Sequence, residues 1–291
     1  MGQNYAIAQR QDGKLVAWGT STNPVLSIPN DVLTQNIVDF DASASFASAI
    51  DETGHIYVWG ALNYGVGDIP AFAHDAIAIS TGTNHVLALQ RDGTVIAWGR
   101  NDWGQTNVPL WLNDVTAIAA GSSYSLALRA NGTVVGWGGH YLYNLMPPAD
   151  LARVVAISAG EGHALALLDD ATIVGWGDNR FRQANAPIAT NRKTVAISAG
   201  LHYSLALLNT GRVIGWGLNT YRNISIPASL QDVVSIEASF SNSVFSTRNG
   251  GIVVIGSNTT GLNSTRTQTP SFFSDARAST TPTRTPTVRR P

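Results

Sequence analysis

The chain has 291 residues, 44% of them hydrophobic, and a formal net charge of -1, which is enough apolar material for a large core. It contains no cysteine, which excludes disulfides and thiolate-held metals. The charge is uneven: residues 264–291 carry five arginines and one aspartate, so the body is mildly acidic and no nucleic-acid partner is expected.

In chain order, the first element is a hairpin whose first arm starts at Tyr5. It turns at Asp12-Gly13 and returns to Trp18-Gly19. Asp-Gly or Asn-Gly between two apolar runs is the strongest short hairpin signal in a sequence. The arm then repeats. Trp-Gly recurs at Trp59, Trp98, Trp137, Trp176 and Trp216, spaced 41, 39, 39, 39 and 40, and a degenerate seventh copy follows at Ile255-Gly256. Thirteen residues before each pair, a strand opens at Tyr5, Phe46, His85, Tyr124, His163, Tyr203 and Asn242. Further hairpin turns are expected at Asp92-Gly93, Asn131-Gly132 and Thr210-Gly211.

Upstream of the aromatic position lies another β-type run ending in small residues, such as Val115-Thr-Ala-Ile-Ala-Ala-Gly121, which supplies a third strand per unit. A fourth strand is expected between Trp-Gly and the recurrent Pro29, Pro70, Pro109, Pro148, Pro187 and Pro227, since proline removes a donor and suits a sheet edge. In Tyr124-Ser-Leu-Ala-Leu neither strand face is polar, so both faces of each sheet are to be buried. Stacking large-residue faces on small-residue faces does this, and seven units stacked radially close a ring. The pattern predicts an all-β, seven-bladed β-propeller with four-stranded blades. The alternative, an open solenoid of the same units, would leave an apolar face bare at each end.

The first copy lacks its opening strand. Residues 275–279 match Ser235–Ser239 loosely and are expected to clasp residues 5–8, giving a propeller over 1–279; truncation at Met1 is the alternative. Residues 280–291, rich in Thr, Pro and Arg, read as a disordered tail or linker. Such tails often tether bacterial surface or secreted modules, which favours an extracellular or cell-surface setting, although the first residues lack the basic start and apolar run of a signal peptide. No apolar run is long enough for membrane insertion.

The unit Ala-x-x-Ala-Gly-x-x-(His/Tyr)-Ser-Leu-Ala-Leu followed by Gly-x-Val-x-x-Trp-Gly-x-Asn and Gln-x-x-x-Pro resembles the regulator of chromosome condensation repeat. Asn101-Asp-Trp-Gly-Gln105 and Val108-Pro109 carry its outer segment best. The resemblance covers roughly residues 2–263. The short period is most similar to the secreted bacterial branch that includes the propeller-type β-lactamase inhibitor protein, and less to the longer-repeat exchange factor for Ran. The resemblance implies a non-catalytic propeller that works through protein contacts; its shared motif is structural and names no partner.

On the expected topology, the Gly-x-x turns and the loops after Trp-Gly share one rim. Five residues past the Trp, that rim carries Tyr64, Trp103, Phe181 and Tyr221, joined by Tyr141 and Tyr143. Arg180, Arg182, Arg222, Asp102 and Asp178 come from the same loops, and Glu161 and His202 from the turns. Aromatics and arginines are the types enriched at interface hot spots, so this rim is the expected docking surface for another protein, bound by a monomeric chain. The alternative is that each aromatic packs on its own blade. Inhibition of a secreted enzyme, nucleotide-exchange-like regulation and glycan binding are narrower or competing readings, and hydrolase or lyase chemistry would fall to Glu161 and Asp178. No cofactor and no metal are expected. His85 and His163 take the Tyr/Phe position of other copies and read as packing residues, and nothing resembles a nucleophile elbow or a phosphate loop.

Overall fold

In the computed structural model, which describes residues 5–10, 12–19, 22–140, 144–190, 193–257 and 277–278, seven three-stranded antiparallel sheets follow one another. Blade 1 holds Tyr5–Gln9 and Leu15–Gly19, with Arg277–Ala278 paired to the first of these, Ala278 opposite Ala8 and Arg277 opposite Gln9. Blades 2 to 7 begin with the inner strands Ile37–Ala42, Ala76–Thr81, Val115–Ala120, Val154–Ala159, Thr194–Ala199 and Val233–Ala238. Each inner strand pairs with a middle strand opened by the aromatic position, and that strand pairs with the outer strand ending in Trp-Gly or Ile-Gly. The architecture is a seven-bladed propeller.

The alternating side chains explain the stacking. Hydrophobic clusters form at the seams: Leu87, Leu89 and Ile118 of blades 3 and 4 pack with Ala127 and Trp137, and Tyr124, Leu126 and Leu128 pack on Ala164, Ala166 and Trp176 of blade 5. Each buried Trp also donates its indole N–H to a carbonyl in the loop leaving the preceding blade: Trp98 to Val66, Trp137 to Gln105, Trp176 to Leu145 and Trp216 to Gln183, at 2.8 to 3.0 Å. The glycine after the Trp is required there. At Gly99, with φ +100°, a Cβ would lie 2.7 Å from the Asn84 carbonyl oxygen.

The position opening each middle strand crosses the seam as well. Tyr124 donates its hydroxyl to His163 O at 2.6 Å and Tyr203 to Asn242 O at 2.5 Å. His85 Nε2 lies 3.0 Å from Ser125 Oγ, and His163 Nε2 2.8 Å from Ser204 Oγ. The residue that follows the aromatic position in the next blade is matched to it: Val86 beside Phe46, Ser125 beside His85, Ala164 beside Tyr124. His85 and His163 are therefore seam residues, fully buried, and burial depresses both imidazoles to about 4.

Two features differ from the sequence expectation. A fourth strand does not form among the described residues, because the segment after Trp-Gly is a turn pinned by its own side chains. Asn101 Oδ1 accepts from Thr106 N, Gln105 Oε1 accepts from Trp103 N, and the Gln105 carbonyl is taken by Trp137 and Ser125. Asn179 and Gln183 repeat the arrangement in blade 5. After blade 1 this connection is instead a 3-10 turn at Pro24–Leu26 and a short helix at Asn30–Thr34. The second feature is a bulge at the second residue of each inner strand, which turns Val38, Val155, Val195 and Val234 outward to solvent.

The six inner strands face a common channel. Near one mouth it is lined by Asp41, Ser80, Ala119, Ser158, Ser198 and Glu237, each followed by a small residue. Four of these side chains cap edge amides of the next blade: Asp41 Oδ2 accepts from Thr81 N, and the hydroxyls of Ser80, Ser158 and Ser198 accept from Ala120, Ala199 and Ala238 N, at 2.8 to 3.0 Å. Capping the inner edge by the preceding blade satisfies donors that the missing neighbour strand leaves open.

Candidate functional site

The hairpin turns lie beside the start of the next inner strand, as Arg91 N donates to Asp75 O and Val115 N to Gly93 O. The opposite mouth is ringed by the Gly-x-x turns, where Gly82, Gly121, Gly160 and Gly200 border a cavity of about 280 Å³. The loops after Trp-Gly return to these turns: Arg100 N donates to Asn84 O, Asp178 N to Gly162 O and Leu218 N to His202 O. Turns and post-Trp loops therefore share a rim.

On that rim Tyr64, Trp103, Phe181 and Tyr221 are 57, 38, 40 and 42% exposed, far above the seam tryptophans. Three of them do not pack on their own blades alone. The Arg100 guanidinium, from the loop after blade 3, lies 4.8 Å from the Tyr64 ring centroid, after blade 2. Trp103 meets His140, after blade 4, edge-on at 4.3 Å between centroids, and Phe181, after blade 5, meets His202 of blade 6 at 5.2 Å. An arc of half-exposed rings thus bridges neighbouring blades. Beneath Trp103 a cleft of about 300 Å³ is lined by Asn84, Arg100, Ser123, His140 and Glu161, drawn from blades 3, 4 and 5. Tyr141 and Tyr143 lie outside the described residues, as do residues 275, 276 and 279 of the expected clasp.

The charged groups divide into tied and untied. Arg100 is held by Asp102, Nε to Oδ2 at 2.5 Å. Asp178 is buried, against the expectation of a plain loop acid: Arg180, two residues on, folds back and donates through Nε and an Nη to the two carboxylate oxygens at 2.9 Å. Burial pushes the Asp178 carboxyl up, but the Arg180 hydrogen bonds and charge outweigh it and hold the group below the usual range. His202 Nδ1 stands 3.9 Å from Asp178 Oδ2. Glu161, at the channel mouth, is shifted upward, first by desolvation, with the Asp178 charge adding to it and His202 and Arg180 opposing. Arg182 and Arg222 are exposed and their side chains make no hydrogen bond or ion pair among the described residues. His140, which the sequence places among the polar neighbours of the rim aromatics, supplies the ring that completes the Trp103 contact.

The opposite face has exposed apolar residues of its own, in the proline loops: Phe72 at 65%, Leu110 at 105% and Trp111 at 62%. No helix among the described residues is long and apolar enough to cross a membrane.

Fold and seam geometry define a repeat propeller. Residues 76–105, 115–141, 154–183 and 195–222 match the family model described as "Regulator of chromosome condensation (RCC1) repeat", so the chain carries that repeat. Similar solved structures include the ectodomain of the Physcomitrella patens receptor kinase CR4, at 20% identity and TM-score 0.71, covering 88% of this chain and 74% of that one. Prp20p from Saccharomyces cerevisiae matches at 17% identity and TM-score 0.71, covering 84% and 80%. The ectodomain of the Arabidopsis thaliana receptor kinase ACR4 matches at 17% and 0.71, covering 84% and 87%. At these identities the likeness establishes the fold. No curated protein matches the chain in sequence.

Proposed function

We propose that this chain is a non-catalytic, protein-binding propeller whose partner docks on the rim built from the Gly-x-x turns and the post-Trp-Gly loops. The observation that carries the reading is the arc of half-exposed rings, Tyr64, Trp103, Phe181 and Tyr221, set in loops of four blades, the first three steadied by contacts between blades. Rigid aromatics beside arginines supply large buried area at low entropic cost. A broad arc suits a protein surface better than a sugar, which would call for pockets closed within single blades, and the cleft under Trp103 draws on three. Catalysis by Glu161 and Asp178 is disfavoured because Arg180 occupies both Asp178 oxygens. The similar yeast propeller is described by its binding to Gsp1p and histones, and another of its structures is bound to Kap60, so this architecture supports protein recognition.

The test is affinity capture with the parent chain, with Trp103→Ala/Phe181→Ala, and with Phe72→Ala/Trp111→Ala on the opposite face. The reading expects a protein retained by the parent and by the opposite-face variant and lost by the rim variant, with all three melting within a few degrees. Loss of each hot-spot ring weakens binding by roughly 30-fold or more. Retention by the rim variant and loss by the opposite-face variant would move the site to the proline loops.

A further inference from the structure

One backbone position in the post-Trp loop is left-handed, and the blades fill it differently. In blade 3 it is Gly104, φ +75°; in blade 5 it is Arg182, φ +62°; in blade 6 it is Arg222, φ +60°. The turn is the same in all three. The N–H of Gly104, Arg182 or Arg222 donates to the carbonyl of Asn101, Asn179 or Asn219, and its own carbonyl accepts from the residue three further on. Glycine adopts this conformation freely, whereas a residue with a Cβ costs about 1–2 kcal/mol. Arginine therefore does nothing for this turn that glycine would not do better, and strain retained at an exposed loop points to a use outside the fold.

The surroundings say what use. Arg100 and Arg180 on the same rim are spent on Asp102 and Asp178, while Arg182 and Arg222 hold no acid among the described residues. Each directly follows an exposed ring, Phe181 or Tyr221, at equivalent positions of adjacent blades. We infer that these two Arg-aromatic pairs form a subsite for an acidic segment of the docked protein, its carboxylates received by the planar guanidinium forks and its apolar stems laid on the rings. The inference rests on the rim reading above and adds the partner's chemistry to it. Two untied guanidinium groups on a mildly acidic body do not make the continuous basic stripe a nucleic acid requires, so carboxylates are favoured over a phosphate backbone.

The double variant Arg182→Gly/Arg222→Gly tests this, because it restores the residue the turn prefers. Fluorescence anisotropy in low salt would compare a labelled peptide of repeated Glu-Ala-Tyr, its Gln-Ala-Tyr counterpart and a single-stranded oligonucleotide. The expected result is that the parent binds the Glu peptide roughly tenfold tighter than the Gln peptide, that the double variant loses the preference, and that it melts at or above the parent temperature. Equal binding of the two peptides, a preference that survives in the double variant, a lowered melting temperature, or tighter arginine-dependent binding of the oligonucleotide would each overturn it. Failure here is separable from failure of the rim reading: a double variant that still captures the protein lost by Trp103→Ala/Phe181→Ala keeps the docking rim and removes the acidic preference.

Discussion

Trp137 and Trp103 are the same residue in neighbouring units, and they do opposite things. Trp137 is 6% exposed, wedged between blades 3 and 4, with its indole N–H on the Gln105 carbonyl. Trp103 sits two residues before that carbonyl, is 38% exposed and meets its neighbour His140 edge-on. The difference is one of register. A tryptophan that returns at every Trp-Gly is set by the seam, while a ring that changes between Tyr, Trp and Phe, and gives way to Asn23, Leu142 and Thr260 in three units, answers to something outside the ring of blades. Repetition marks what holds this molecule together, and variation marks where it can be specific.

The widest gap between the two regions should appear in stability. Trp137→Ala opens a seam cavity and removes one of the two donors on the Gln105 carbonyl, so it should cost about 3–5 kcal/mol in chemical denaturation, whereas Trp103→Ala should cost less than about 1 kcal/mol. Comparable losses for the two would erase the distinction between seam and rim.

Acid should attack the seam next. His85 and His163 are buried neutral, with folded values near 4 against an ordinary 6.5, and their Nδ1 atoms have no partner among the described residues. Above about pH 6.5 neither state binds the extra proton and the histidines make no pH-dependent difference. Between that value and about pH 4 the unfolded chain takes up protons that the native seam refuses, so stability falls with falling pH, by up to about 1.4 kcal/mol per pH unit for each histidine. Replacing both by tyrosine copies the Tyr203–Ser243 arrangement, since Ser125 and Ser204 already stand where Ser243 does. Thermal melts of that variant from pH 7 to pH 4 should show a flattened decline; an unchanged slope would remove the histidines from the acid response.

Smaller effects refine the picture at single bonds. Tyr124→Phe removes the seam bond to His163 O, which keeps the Gly160 amide as its other donor, and should lower stability by about 1 kcal/mol. In the channel, Ala119 stands where Ser80, Ser158 and Ser198 cap the next blade, and the Ala159 amide has no such cap. Ala119→Ser should add about 0.5–1 kcal/mol in the same denaturation assay, and a loss there would show that the channel mouth is already satisfied.

Much of the fold was legible because it is written seven times. The Trp-Gly spacing, the aromatic position and the Asp-Gly turns set the units, and the neutral seam role of His85 and His163 followed from their register with Tyr124 and Tyr203. The missing fourth strand was not legible, because Asn101 and Gln105 pin the segment through side-chain bonds that leave no alternating pattern, and a proline at its end is as compatible with a loop as with an edge strand. The bulges at Val38 and Val155 were hidden for a related reason: a valine inside an apolar run reads as core whichever way the backbone turns it. At the rim, the exposed rings were visible from their position outside the strand pattern. The burial of Asp178 and the left-handed backbone at Arg182 were not, since one depends on Arg180 folding back and the other places arginine where sequence rules expect glycine.

The central claim is that one rim, and not the opposite face, carries the partner. The most direct measurement is amide hydrogen exchange of the chain with and without its captured partner. The account predicts slowed exchange in the post-Trp loops at 61–69, 100–107, 178–186 and 218–225, with the proline loops at 70–74 and 109–113 unchanged. Protection confined to the proline loops, with the rim loops exchanging as in the free chain, would contradict it.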